Sequence, residues 1–158
     1  MARVYEETVS AEWVTAVPLD GVWAYIWDID AQRRHDPRIA SLTVTQGHWG
    51  DVGSVMSIVP ASENGASEPV HVELVAVDPL RSYATRTVLP DVQTLTTVTT
   101  EERDGGTVVR TVVLVTTRPL NWIERAAVKS QRTARHVGAQ ADADRAQRAV
   151  EDFYAARG

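Results

Sequence analysis

Residues 17–39, "VPLDGVWAYIWDIDAQRRHDPRI", break the strand-like rhythm on either side of them, and the fold turns on how they do so. Pro18 pre-sets a helical φ, Asp20 sits in the first turn where the helix dipole favours an anion, and Val22, Ile26 and Ile29 recur at helical spacing. A short amphipathic helix is expected. A second helical turn covers "DAQRRH" and ends there, because Pro37 disfavours helix for the residue before it. Residues 22–39 also hold two tryptophans, a tyrosine and a histidine, so the patch must face something that rewards aromatic bulk.

Upstream, "VYEETVSAEWVTAV" (4–17) is rich in β-branched and aromatic types with partial alternation, as a strand requires. Downstream, residues 39–117 read as six strands: "IASLTVTQ", "GSVMSIVP", "VHVELVAV", "SYATRTVL", "VQTLTTVTTEE" and "TVVRTVVLVTT". Their connections are short, which implies an antiparallel meander, since parallel neighbours need long crossovers. The polar segment "ASENGASEP" (61–69) is the candidate mobile loop. After Pro119 the pattern turns helical. Asn121 and Glu124 form a capping-box-like start, and the alanine-rich run to Ala156 predicts one long C-terminal helix with Gly138 as a candidate kink. Its stripe Ile123, Ala127, Ser130, Ala134, Val137, Ala141 is small for a face that must cover a sheet.

The 158 residues suit one domain spanning 1–158, long enough to bury roughly 70% of the unfolded surface without a metal or disulfide staple. There are no cysteines, which removes disulfides and thiolate ligands together. A net charge of −5, with acids interspersed among the basic residues, argues against nucleic acid, whose phosphates demand a clustered basic face. The N-terminal "MARVYEETVS" lacks an apolar signal core, and no run approaches the roughly 20 apolar residues that span a bilayer, so a cytoplasmic chain without membrane insertion is expected. His35, His48, His71 and His136 show no metal-site spacing, and "GDVG" (50–53) is too short for a phosphate loop. Neither a metal nor another cofactor is expected.

The order strand, two short helices, six-stranded meander, long helix resembles the START/Bet v 1-like (SRPBCC) superfamily, in particular its bacterial polyketide cyclase/dehydrase-like members. The resemblance covers nearly the whole chain and rests on local pieces as well as order: "VPLDGVWAYIWDID", "RRHDPRI", "GHWGDVGS", "VAVDPLRS" and "RDGGTVV". It implies an α+β helix-grip fold, a seven-stranded antiparallel sheet wrapped around the long C-terminal helix with a cavity between them. One departure stands out. His35 occupies a position that is usually aromatic in such relatives, which exchanges bulk for a titratable group.

Within that fold, Trp23 and Trp27 would plug one end of the cavity, His35 and Arg38 would stand at its rim, and the small side chains of Ala127 and Ala134 would leave room for a ligand. Trp49, beside His48, sits in a loop able to fold over the cavity mouth, whereas Trp13 and Trp122 read as hydrophobic fillers. Tyr83, Thr85 and Thr87 share one face of their strand, the family's alternation favours Tyr83 inward, and Thr94, Thr96 and Thr111 add hydroxyls to the same wall. His71 and Glu73 lie on one face of the preceding strand and form a candidate acid/base pair if that face is the cavity; the opposite face, Val70, Val72, Leu74 and Ala76, is the more apolar and points inward by default.

The resemblance therefore implies a cavity of a few hundred Å³ or more that binds a hydrophobic, oxygenated aromatic or polyketide-like small molecule. One reading is a cofactor-free polyketide cyclase/dehydratase with His35, His71, Glu73 or Tyr83 as acid or base. Another is a non-catalytic small-molecule or lipid carrier, and a third a regulatory module acting on a protein partner. Fold does not separate them.

Overall fold

The computed structural model describes residues 1–62 and 67–157. Residues 63–66 of the segment read as a mobile loop lie outside the described residues. The elements are β1 (Glu6–Thr15), α1 (Leu19–Trp27), α2 (Ile29–His35), β2 (Ile39–Gln46), β3 (Val55–Pro60), β4 (Val70–Asp78), β5 (Ser82–Val88), β6 (Val92–Arg103), β7 (Gly106–Thr117), α3 (Trp122–Ser130) and α4 (Arg132–Arg157). The strands form one antiparallel sheet in the order β1-β7-β6-β5-β4-β3-β2. The meander of β2 to β7 thus has β1 added at its far edge, beside β7.

Local chemistry explains the boundaries. Val22 N–H donates to the Pro18 carbonyl to open α1, and Asp28 both ends α1, donating its N–H to the Tyr25 carbonyl, and opens α2, its carboxylate accepting from Ala31 N–H at 2.9 Å. The β6–β7 hairpin turns through Asp104 and Gly105, at φ of 52° and 79°. The next residue, Gly106, is there for close approach: a Cβ on it would meet the Thr15 carbonyl oxygen at 2.2 Å. Both arms of the Asn121–Glu124 capping box form, so α3 starts where the sequence places it.

The C-terminal helix differs from expectation in two ways. It divides at Gln131, whose N–H donates to the Val128 carbonyl in a tighter turn, and runs unbroken through Gly138. The predicted sheet-facing residues Ala127 and Ala134 are exposed. The face that covers the sheet is instead Ala139, Ala143, Ala146, Val150 and Phe153, because the bulk of Val150 and Phe153 fixes which side of α4 turns in. Burying those two side chains contributes about 1.5–3 kcal/mol each.

Two apolar clusters fill the concave side of the sheet. One joins Trp13, Val22, Tyr25, Val98, Val109, Val150 and Phe153; the other joins Leu42, Trp49, Met56 and Leu74. Tyr83 packs against both.

Candidate ligand cavity

A cavity of about 430 Å³ lies between the sheet and α1, α2 and α4. Its sheet wall is set by register. Ala11, Thr111, Val98 and Tyr83 stand side by side across β1, β7, β6 and β5, and Val9, Val113 and Thr96 form the adjacent row. Opposite them, Ala139, Ala143, Ala146 and Val150 supply the α4 wall. Three alanines facing valines and threonines leave the space that larger side chains would fill.

One end of the cavity is polar. Arg38 donates to Asp36 from its backbone N–H at 3.0 Å, from Nε at 2.8 Å and from Nη2 at 2.5 Å, and its Nη1 points to the Asp142 carbonyl at 3.4 Å. Pro37 between the two brings these side chains into so short a loop, and Asp36 is buried. The hydrogen bonds to Asp36 raise the Arg38 pKa further above its ordinary value. Tyr25 and Tyr83 also line the cavity. Burial pushes the Tyr83 phenol up to about 12 and raises Tyr25 as well, with the Asp36 charge adding to the latter, so both stay neutral phenols. The Tyr25 hydroxyl is buried and has no hydrogen-bond partner.

A second polar cluster lies on the inner row of β1. The buried Glu7 carboxylate accepts from Arg135 Nε at 2.5 Å, Arg135 Nη2 at 2.8 Å and the Tyr5 hydroxyl at 3.0 Å. The Arg135 hydrogen bonds hold Glu7 below the ordinary carboxylate value. The Nε2 of His136, next along the helix, is buried without a partner.

The residues singled out from sequence divide. Tyr83, Arg38, Thr96 and Thr111 line the cavity. Thr85 shares their face and continues the Thr96 row onto β5, between Thr96 and Leu74, but is not in the lining. His35 is half-buried with its ring edge-on to Phe153 at 6.2 Å and is not in the lining. His71 and Glu73 stand on the outer face, where His71 is exposed and Glu73 pairs with Arg86 at 2.8 Å. Leu74 takes the inward position of that strand, and a bulge after it brings Val77 rather than Ala76 into the core.

The aromatic patch packs largely on itself. Trp27 lies 5.6 Å from Trp23, 5.6 Å from Tyr83 and 6.0 Å from Trp49, and Trp23 donates to Thr100 Oγ1 at 2.9 Å. Trp49 is buried and donates to the Ile26 carbonyl, so it is core rather than a flap over the mouth. Trp13 lines the cavity, and Trp122, read as a filler, is exposed. Sequence reasoning missed Tyr25, Gln32, Asp36 and Asp142. Tyr25 had a usable signal, three residues after Val22 and four before Ile29 on one helical stripe. Asp142 had none.

Among the described residues, no group of three or more His, Asp or Glu could hold a metal ion, and no helix is long and apolar enough to cross a membrane. No family model and no curated protein matches the sequence. Solved structures do match it. Norcoclaurine synthase from Thalictrum flavum, as a point mutant in complex with a transition-state analogue, aligns over 98% of this chain and 99% of its own at 15% identity, TM-score 0.69. Ara h 8.0201 aligns over 94% and 97% at 19% identity, TM-score 0.66, and an uncharacterised protein from Rhizobium leguminosarum over 96% and 99% at 17% identity, TM-score 0.71. The chain has the Bet v 1-like helix-grip fold. In this helix grip the two sides differ: the β1, β7 and β6 side lines the cavity, and the β2 to β4 side carries the Leu42, Met56 and Leu74 cluster.

Proposed function

We propose that the chain binds a hydrophobic small molecule carrying oxygen functions in the cavity between its sheet and α4, acting as a carrier or sequestering protein. The observation that carries this is the cavity itself, about 430 Å³ with walls of valine and alanine and a polar end at Tyr25, Asp36, Arg38 and Tyr83. Apolar walls with a few convergent polar groups are what small-molecule sites share.

A second reading, a cofactor-free polyketide cyclase/dehydratase, is favoured by one feature: the neutral phenol of Tyr83 in the wall could hydrogen-bond a carbonyl oxygen as charge develops on it. Norcoclaurine synthase, solved with a transition-state analogue, gives precedent for chemistry on the same fold. The sequence-derived bases weaken it, since His71 and Glu73 face outward and His35 packs on Phe153.

Native mass spectrometry of protein purified without denaturation tests both readings. The expected result is a stoichiometric bound small molecule that is lost in Ala146→Phe, whose ring would occupy the cavity. A ligand-free protein that also takes up no aromatic probe would overturn binding. Turnover of a synthetic polyketone that falls about 10²-fold or more in Tyr83→Phe, with affinity held, would establish the catalytic reading instead.

A further inference from the structure

The polar end of the cavity carries information about the kind of ligand it accepts. Tyr25 is only 7% exposed, its ring is part of the lining, and its hydroxyl has no partner in the folded chain. Buried hydroxyls are rarely left so, because the lost water bonds are not replaced. Its surroundings narrow the partner further. Arg38 is the one cation among the described residues that line the cavity, and its guanidinium is committed, Nε and Nη2 to Asp36 and Nη1 towards Asp142. Asp142 is in turn answered by Arg145 at 2.9 Å. The polar end therefore offers a phenol donor with no uncommitted positive charge.

We propose that the cavity selects a neutral, carbonyl-bearing ligand such as an aryl ketone or quinone, whose oxygen accepts the Tyr25 hydrogen bond, and rejects carboxylates, fatty acids included. A carboxylate entering this end would lose its hydration, find no free cation and face the Asp36 charge. A ketone loses less on entry and gives the Tyr25 hydroxyl the partner it lacks in the folded chain. The inference rests on the binding reading above.

Three naphthalenes of similar size separate the possibilities: 2-acetylnaphthalene, its isosteric alkene 2-isopropenylnaphthalene, and 2-naphthoate, titrated calorimetrically into native protein and Tyr25→Phe. The ketone is expected to bind native protein about tenfold tighter than the alkene, as one buried hydrogen bond gives, and naphthoate more weakly than either. Tyr25→Phe should erase the ketone's advantage, leave the alkene unchanged and melt no lower than native protein. Equal affinity for ketone and alkene, a ketone advantage that survives in Tyr25→Phe, or tight naphthoate binding overturns the inference while binding itself stands. A lower melting temperature for Tyr25→Phe would also overturn it, since the hydroxyl would then already be bonded in the empty protein. Failure of all three compounds to bind removes the binding reading and the inference together. The comparison on native protein stands whether or not the variant folds.

Discussion

Glu7 takes an inward position on β1 that alternation would assign to an apolar side chain, and it can do so because Arg135 and Tyr5 meet its carboxylate there. Its pKa is held below the ordinary 4.5, so the carboxylate's contribution is complete above that value and is lost as pH falls through the lowered native one. Glu7→Gln should cost about 1–2 kcal/mol near neutrality, and the gap to native protein should close as the denaturation midpoint is followed into acid. Tyr83 behaves in the opposite sense. With its phenol raised from 10.0 to about 12, its contribution is full below 10.0 and is lost as pH rises through the native value. Tyr83→Phe should therefore show a shallower alkaline loss of stability than native protein, with the part due to Tyr25 remaining. An alkaline limb identical in the two proteins would contradict the burial of this phenol. Tyr83 was legible in the sequence because strand alternation fixes its face. Asp36 was not, because its role depends on the three-residue loop 36–38 folding Arg38 back onto it.

At the scale of elements, the strands were readable and the phase of the last helix was not. Period-two alternation and turn residues such as "DPLR" and "RDGG" mark the meander in one dimension. In α4, alanines fall on every side, so small size does not say which face turns inward; Val150 and Phe153 do, three residues apart near the C-terminus. Two glycines separate local propensity from tertiary fit. Gly138 lies inside α4 with nothing within 4 Å of a Cβ placed on it, and Gly138→Ala should stabilise by about 0.5–1 kcal/mol through helix propensity alone. Gly106→Ala should cost about 3 kcal/mol or more, the range of severe steric insertions, because its Cβ would overlap the Thr15 carbonyl and force β1 from β7. Urea denaturation of the two variants should shift in opposite directions; equal shifts would contradict the close approach at Gly106.

Across the whole molecule, the sheet is packed to different degrees on its two sides. Leu74, with no exposure, is surrounded in the cluster with Leu42, Met56 and Trp49, whereas Val113 borders space already empty. Leu74→Ala should cost about 2–5 kcal/mol, since it opens a void where none existed. Val113→Ala, which only enlarges an existing one, should cost less per methyl group removed, as thermal denaturation of the two would measure. The existence of a cavity followed from the recognised fold, but its confinement to one side did not. That depends on four aromatic rings meeting across α1, β5 and the β2–β3 loop, contacts between residues up to 60 positions apart that no local pattern encodes.

Trp27 also stands between two spaces. Its ring touches Tyr83 on the inner side and on the outer side lines an open groove of about 490 Å³ with Ala24, Val44, His48 and Trp49. Tyr83 faces the interior chamber and Trp27 the groove, so the partition between them is these two rings. Trp27→Ala would thin that partition to the Tyr83 ring alone. Stopped-flow measurements should then find a bound aromatic probe escaping faster, with association accelerated too, so that residence time shortens more than affinity falls. In the native protein the Trp27 and Tyr83 rings together keep the interior chamber and the outer groove separate compartments.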